Sequence, residues 1–138
     1  MFPGDNMAVI PENVMALLND PEAVKVLATV SAEGMPHAIV VGSCMAPSPD
    51  LIVAGEVMMK TTSANLNATK KAAINVVKGT EAYLITAEDP GYLTEGEIVD
   101  KMNEQLAKLN LKAQGVWAFK PSGVWNESAS PDSGTKLA

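Results

Sequence analysis

The segment that decides the fold is "LIVAGEVMMKTTSANLNATKKAAINVV", residues 51–77. Its apolar beginning predicts a β-strand from Leu51 to Val57. Residues 61–69, "TTSANLNAT", predict a short helix whose first turn is capped by a threonine or serine hydroxyl. Residues 71–77, "KAAINVV", predict the next strand. The segment therefore predicts a strand, a short helix and a second strand in succession.

Lys60 and Thr61 lie where this strand gives way to the helix. A lysine ammonium, a threonine hydroxyl and free backbone N–H groups at a helix start together form an anion site. The simpler interpretation is a solvated lysine beside the start of a helix. Met58 and Met59, just before the pair, are either core residues or an adaptable wall for a flat ring. Phosphate is therefore a candidate ligand, and the simpler interpretation stays open.

Strands are also predicted on both sides of this segment. Residues 24–45 contain two β-rich runs around Glu33 and Gly34, which predict a hairpin. "APSPD", residues 46–50, breaks the strand pattern. The same signals predict strands over residues 81–87, 91–93 and 113–126 and a turn at "EDPG", residues 88–91.

Two more helices are predicted. "IPENVMALLNDP", residues 10–21, favours a short helix with Pro11 at its start. The second helix begins at Thr94, where "TEGE" has the spacing of a capping box. Its inner face is expected to hold Ile98, Met102, Leu106 and Leu109. Its outer face is expected to hold the ion pairs Glu97–Lys101 and Glu104–Lys108.

The pattern of elements predicts a mainly β fold with a few helices. About six strands at short spacing and one long late helix argue against alternating βαβ units and for a small antiparallel barrel. A chain of 138 residues fits one domain, 1–138. Trp117 and Trp125 have the same parity on the last strand and are expected to share a face. Residues 128–138 form a polar tail, expected to be loose unless a partner orders it.

The composition excludes several classes of function. The formal net charge is −6, and all ten basic residues are lysines. The lack of arginine argues against a nucleic-acid partner, because recognition of phosphate and guanine relies on arginine. No run approaches the about 20 apolar residues that span a bilayer, and the first residues lack the basic region of a signal peptide. We expect a cytoplasmic protein without membrane association.

The chain has one histidine, His37, and one cysteine, Cys44. A zinc site of the His/Cys type needs more ligands than these two. Both residues fall on what reads as one strand, where their odd spacing puts them on opposite faces and disfavours a Cys–His nucleophile pair. His37 is expected to be satisfied by backbone or water. We therefore predict neither a catalytic side chain nor a metal site.

Two stretches resemble a known family. "VKVLATVSAEGMPHAIVVGS", residues 24–43, and "DLIVAGEVMMKTTSANLNATKKAAINVV", residues 50–77, resemble the flavin-binding split-barrel family that includes pyridoxamine phosphate oxidase and the short flavin mononucleotide (FMN)-binding proteins. The similarity covers about residues 20–95, and "MFPG", residues 1–4, also resembles the opening of the short FMN-binding proteins. The resemblance to the family rests on the order of these motifs along the chain.

This resemblance implies a six-stranded antiparallel split barrel of Greek-key topology that forms a homodimer with FMN in grooves at the subunit interface. Lys60 and Thr61 match the pair that holds the flavin phosphate in the family. The strand after "PH" runs along the isoalloxazine ring, and the strand before the phosphate site supplies its other edge. Carried over to this chain, these two strands contribute Val40, Val41, Gly42, Ala54, Gly55 and Glu56. Glu56 is expected to turn away from the phosphate.

The resemblance implies an FMN-binding flavoprotein, either a small redox protein or an FMN-dependent oxidoreductase, with a small-molecule redox substrate or an electron-transfer partner. Pyridoxamine phosphate oxidation is disfavoured because members with that activity hold the substrate with arginines. A non-catalytic module that binds or senses flavin or the deazaflavin F420 is the alternative. A third possibility is an interaction protein with an empty groove. The tail is expected either to cover the flavin or to be disordered.

Overall fold

A computed structural model describes residues 8–138 of the chain. Three helices and seven strands follow one another: α1 (Glu12–Leu18), β1 (Val24–Val30), β2 (Pro36–Val40), β3 (Cys44–Ser48), β4 (Leu51–Gly55), α2 (Lys60–Thr69), β5 (Lys71–Lys78), β6 (Glu81–Leu93), α3 (Glu97–Ala107) and β7 (Val116–Asn126). The predicted hairpin joins β1 to β2, and Gly34 in its turn has a φ of 86°. The "MFPG" resemblance falls on residues outside the described part of the chain.

All strands belong to one antiparallel sheet with the order β2-β1-β5-β6-β7-β4-β3. The mainly β, antiparallel prediction is confirmed, but the expected number of six strands is wrong. The additional strand is β3, which includes most of the "APSPD" stretch read as a break. β3 lies at an edge of the sheet, where Pro47 needs no partner for the N–H that it lacks.

Two bulges change the predicted course of β6 and β7. "EDPG" does not turn the chain: β6 continues through it, with Asp89 at a φ of 50° and a register shift between Glu88 and Gly91. The register between β6 and β7 also shifts: Thr86 pairs with Gly123, but the next residue, Ala87, pairs with Pro121. The extra residue of β7 between these pairs reverses which of its side chains face inward.

The β7 bulge corrects the prediction for the two tryptophans. Trp117 and Phe119 lie in the main core before the bulge, whereas Val124 takes the core position after it. Trp125 is half-buried on the other face, with the Lys136 Nζ 5.6 Å from its ring centre. The two indoles therefore do not share a face.

All three predicted helices form, but α3 begins at Glu97 and not at Thr94. The predicted caps and one predicted ion pair are not found in the described chain. Neither α2 nor α3 has a side-chain cap hydrogen bond, because Met59 and Gly96 occupy the N-cap positions. The Lys101 Nζ lies 2.9 Å from Glu97 Oε1. Within residues 8–138, Glu104 and Lys108 do not come within ion-pair distance. On the predicted inner face of α3, Met102 and Leu106 are buried, Ile98 is half-buried and Leu109 is 69% exposed.

Two hydrophobic cores stabilise the fold. The main core fills the concave side of the sheet with fully buried residues that include Leu27, Ile74 and Phe119. The smaller core lies where α3 packs against β4 and β7, through Val53, Met102 and other buried residues. Burial alternates along β1 and β5, which line the main core on one face. β4 is buried on both faces, because Ile52 and Ala54 lie in the main core and Val53 lies in the smaller one.

The polar tail is ordered by pairing with β7, which corrects its predicted looseness. Asn126 N–H donates to the Thr135 carbonyl at 2.8 Å, and Leu137 N–H donates to the Val124 carbonyl at 2.7 Å. Lys136 forms an antiparallel bridge with Trp125. The tail therefore covers the free edge of the second half of β7.

No helix among residues 8–138 has the length and apolar character needed to span a membrane. Within the same range, no three His, Cys, Asp or Glu side chains are grouped as metal ligands.

Candidate functional site

The start of α2 forms one wall of a cavity of about 250 Å³, which we call the lysine cavity. Ser63 N–H donates to the Met59 carbonyl at 2.8 Å, the first hydrogen bond of the helix. The N–H groups of Lys60, Thr61 and Thr62 precede it and have no acceptor within the helix. The cavity is lined by His37, Ile39, Met58, Met59, Lys60, Thr61 and Thr62. The predicted pair Lys60 and Thr61 therefore lies together at a helix N-terminus.

Thr62 adds a polar atom that the sequence did not single out. The residue is 1% exposed, and its Oγ1 has no hydrogen-bond partner among residues 8–138. Buried hydroxyls nearly always have a partner, so this one is a candidate donor to a bound group. Lys60 is exposed and forms no ion pair within the described chain. The lysine cavity thus combines unpaired donors with positive charge.

A second space, the leucine cavity, adjoins the first and shares Ile39 and Met59 with it. It has a volume of about 260 Å³. Four predicted ring-binding residues line it: Val40, Val41, Gly42 and Gly55. Three leucines at and beyond the end of α3 also line it: Leu106, Leu109 and Leu111. The amphipathic pattern marked Leu106 and Leu109 as core, and no local signal connects them with a groove formed by β2 and β4.

Three of the predicted ring-binding residues already have hydrogen-bond acceptors for their backbone N–H groups. The N–H groups of Val41 and Glu56 already donate to the carbonyls of Lys25 and Gly115, each at 2.9 Å, and Gly55 N–H donates to Ser43 Oγ at 3.1 Å. The N–H groups of Gly42 and Val57 have no acceptor in the described chain. The free backbone donors of this cavity therefore include Gly42 and Val57.

Glycines of the predicted ring site have different roles. A Cβ at Gly42 would meet no atom within 4 Å, so this position faces open space in the groove. A Cβ at Gly55 would lie 3.1 Å from Met102 Cγ, so packing against α3 accounts for that glycine. Ala54 is 1% exposed in the main core and lines none of the three cavities described here.

The third space, the glutamate cavity, lies on the other side of Lys60 and has a volume of about 300 Å³. It is lined by Glu56, Met58, Met59, Lys60 and Gln114. Met58 and Met59 are shared with the lysine cavity, and Met59 also lines the leucine cavity. The three cavities therefore surround the loop that precedes α2.

Glu56 is held by a hydrogen-bond network that sequence reasoning missed. The Tyr92 hydroxyl donates to Glu56 Oε1, and the Ser63 hydroxyl donates to Glu56 Oε2. Trp117 Nε1–H donates to Ser63 Oγ at 3.0 Å, and the Tyr92 and Trp117 ring centres are 4.8 Å apart. The hydrogen bond to Glu56 raises the pKa of Tyr92 to about 12. Among residues 8–138, Glu56 and Lys60 are not within ion-pair distance of each other.

His37 and Cys44 lie on different strands, not on one strand as the sequence suggested. β2 and β3 are the opposite edges of the sheet. Cys44 is 3% exposed, and burial raises the pKa of its thiol to about 12. A thiol of this kind is inert as a nucleophile. His37 instead lines the lysine cavity.

Comparisons with solved structures show the fold. HupZ of Group A Streptococcus superposes with a TM-score of 0.77 at 18% identity, covering 91% of this chain and 99% of HupZ. An FMN-binding protein from Syntrophomonas wolfei subsp. wolfei has a TM-score of 0.77 at 21% identity, covering 84% of each chain. HutZ, the heme storage protein from Vibrio cholerae, has a TM-score of 0.64 at 11% identity, covering 88% of this chain and 97% of HutZ.

These likenesses confirm the split-barrel fold that the sequence resemblance implied. At such low identities they establish the fold and not the ligand. The sequence matches no protein-family model and no curated protein.

Proposed function

We propose that the protein is an FMN-binding flavoprotein that works as a small redox protein or flavin oxidoreductase. The observation that carries this proposal is the unpartnered, buried Thr62 Oγ1 beside Lys60 and Thr61 at the N-terminus of α2. A phosphate monoester supplies the acceptor oxygens that these donors lack. The likeness to the Syntrophomonas FMN-binding protein supports the choice of FMN.

The leucine cavity suits the flavin ring. Its walls are mostly aliphatic, it adjoins the lysine cavity through Met59, and it offers the free N–H groups of Gly42 and Val57. An apolar cavity with a few oriented polar groups is the usual form of a cofactor site. In this proposal Val40, Val41, Gly42 and Gly55 flank the ring, and Ala54 contributes by supporting the strand on which Gly55 lies.

The reactive chemistry in this proposal belongs to the flavin, which accepts and donates electrons when bound. The chain contributes binding and electrostatics. Lys60, Thr61 and Thr62 bind the phosphate, while Leu106, Leu109 and Leu111 exclude water from the ring. Glu56 adds a fixed negative charge beside the site, because Ser63 and Tyr92 hold its carboxylate. A fixed carboxylate opposes the build-up of negative charge nearby.

The outer face of the sheet supports the proposal of a homodimer. Two rows of cross-strand neighbours run over β2, β1, β5, β6 and β7 on this face. No member of either row is charged: Val40, Val26, Asn75, Leu84 and Trp125 form one, and Ala38, Ala28, Ala73, Thr86 and Gly123 form the other. Val40 is 72% exposed and also lines the leucine cavity. A second copy on this face would therefore close the groove.

Binding of FMN and of riboflavin, which lacks the phosphate, tests the phosphate assignment. Lys60→Ala should weaken FMN binding by about 10- to 100-fold, since a charge-assisted contact contributes about 1.5–3 kcal/mol. Riboflavin binding should not change. Fluorescence titration of the purified protein measures both affinities.

Lys120→Ala is the matched control, because Lys120 is exposed on β7 and the substitution removes the same charge. It should leave both affinities unchanged. If wild-type protein takes up haem but not FMN, the proposal is wrong and a haem-binding function akin to that of HutZ replaces it.

Reduction of the bound flavin distinguishes redox activity from simple binding. A redox protein should accept electrons from a reduced nicotinamide cofactor or a reduced electron carrier and pass them on to a quinone or nitro compound. Stopped-flow absorbance follows both steps. Tight binding without reduction by any donor would favour the binding or sensing module instead.

A further inference from the structure

The imidazole of His37 lies in a cavity and forms no hydrogen bond within the described chain. The residue lies on β2 directly opposite Thr29 of β1, which is 6% exposed, so both side chains are on the inner face of the sheet. The imidazole lines the lysine cavity together with Lys60 and Thr61. Neither of its nitrogens has a hydrogen-bond partner among residues 8–138. Its polar atoms are therefore available to a ligand.

Lys60 adds a positive charge to the cavity of His37, in a chain whose net charge is −6. The titratable groups on the two elements packed against β2 are Lys25 on β1 and Lys60 on α2. Lys25 Nζ donates to the Asp20 carbonyl at 2.8 Å, and Lys60 lines the cavity. Glu33, in the turn before β2, is exposed, and no carboxylate lines the lysine cavity in the described chain.

We propose that His37 is a further ligand of the FMN phosphate and donates a hydrogen bond to it from β2. This inference rests on the proposed FMN site. It adds a donor from a strand to the donors that α2 provides, so the phosphate is held from two elements of the fold.

The ratio of FMN to riboflavin affinity isolates the contact to the phosphate, because riboflavin lacks that group. The ratio is compared between wild type and a His37 variant at the same pH, so the charge of the phosphate is equal on both sides of the comparison.

Titrations at one fixed pH with wild type, His37→Ala and His37→Lys test the proposal. His37→Ala should lower the FMN-to-riboflavin affinity ratio by about five- to tenfold, because a hydrogen-bond donor to the phosphate is removed. His37→Lys supplies a charged donor at the same position and should keep the ratio at the wild-type value or above it. Circular dichroism of each variant checks that it is folded.

Equal ratios for wild type and His37→Ala would overturn the role of His37 and leave the FMN site intact. A folded His37→Lys protein whose ratio falls below that of wild type would also contradict it. If wild type does not prefer FMN to riboflavin, the phosphate site itself is wrong. The failure of this inference is thus distinct from the failure of the proposed function.

Discussion

Glu56 is the residue whose surroundings differ most from a sequence-based view of the site. A carboxylate four positions before Lys60 suggests an unfavourable charge near a bound phosphate. The structure instead gives each carboxylate oxygen a hydroxyl donor, Ser63 and Tyr92, and Trp117 fixes Ser63 in turn. The expected turn of Glu56 away from Lys60 therefore depends on side chains from α2, β6 and β7.

The Glu56–Tyr92 hydrogen bond predicts an observable titration. In a Tyr83→Phe background, where Tyr92 is the remaining tyrosine, tyrosinate absorbance should appear near pH 12. Glu56→Gln should lower this pKa toward the ordinary value of about 10, because the negative acceptor is removed. Tyr92 has a raised pKa in the folded state, so its contribution to stability is present below about pH 10 and lost as the pH rises toward 12.

Glu33→Gln is the control for this titration, since Glu33 is exposed in the β1–β2 turn and the charge change is the same. The pKa of Tyr92 should not move in that variant. Circular dichroism at each pH separates titration of the folded protein from alkaline unfolding. A Tyr92 pKa near 10 in folded protein with Glu56 intact would contradict the hydrogen bond.

Among the elements, β6 and β7 contain the departures from regular pairing that shape the site. The bulge around Asp89 lets β6 pair with β5 through Glu88 and continue to Leu93 beside Val116 of β7. This continuation brings Tyr92 next to Trp117. Without the bulge, the "EDPG" sequence would end the strand before Tyr92 reached Glu56. The bulge therefore positions part of the candidate site.

Close packing where β6 meets β7 predicts contrasting effects of two glycine substitutions. A Cβ at Gly115 would lie 2.4 Å from Tyr92 Cζ and 2.9 Å from the Leu93 carbonyl oxygen. Gly115→Ala should therefore lower the free energy of unfolding by about 1–3 kcal/mol, as overpacking does. Urea denaturation followed by tryptophan fluorescence measures the change.

Gly91→Ala is the matched comparison within β6. A Cβ there would meet nothing within 4 Å, so the free energy of unfolding should change by less than about 0.5 kcal/mol. Equal losses of stability in the two variants would show that the contact at Gly115 does not decide the effect.

Across the whole molecule, charge is distributed unevenly. Sixteen acidic and ten basic side chains are present, yet the two cross-strand rows on the outer face of the sheet contain none of them. A shallow depression of about 270 Å³ lies on this face beside Ala28 and Ala73. The next row on this face is charged, with Lys71, Glu88 and Lys120 side by side, and Lys71 borders the depression. An uncharged strip with a charged border is typical of an interaction surface. The proposed homodimer would use this face.

A charge at the centre of this face should separate the proposed dimer. Ala28 lies between Ala38 and Ala73, and Ala28→Glu would bury an unpaired carboxylate in the interface. We expect wild type to sediment as a dimer and Ala28→Glu as a monomer with weaker FMN binding, because the groove would lose the partner that closes it. Analytical ultracentrifugation measures the oligomeric state.

Ala129→Glu introduces the same substitution at an exposed position outside this face and should remain dimeric. Thermal unfolding of both variants shows whether they are folded. A monomeric wild type would contradict the homodimer, and a dimeric Ala28→Glu protein would place its interface elsewhere.

The sequence by itself determined the three helices, the β1–β2 hairpin, most of the strands and the position of Lys60 and Thr61 at a helix start. These features depend on hydrophobic periodicity and turn residues, which act between neighbours along the chain. The same local signals failed at β3, where Pro47 is tolerated because the strand lies at the edge of the sheet.

Only the tertiary structure decided the remaining features. The β7 bulge separates the faces of Trp117 and Trp125, and the tail pairs with Val124 and Asn126 instead of remaining loose. At the candidate site, Thr62 loses its solvent, His37 meets Lys60 in one cavity, and Tyr92 reaches Glu56. Each outcome depends on partners far apart in the chain, and their contacts arise only when the sheet curves and brings its strands and helices together.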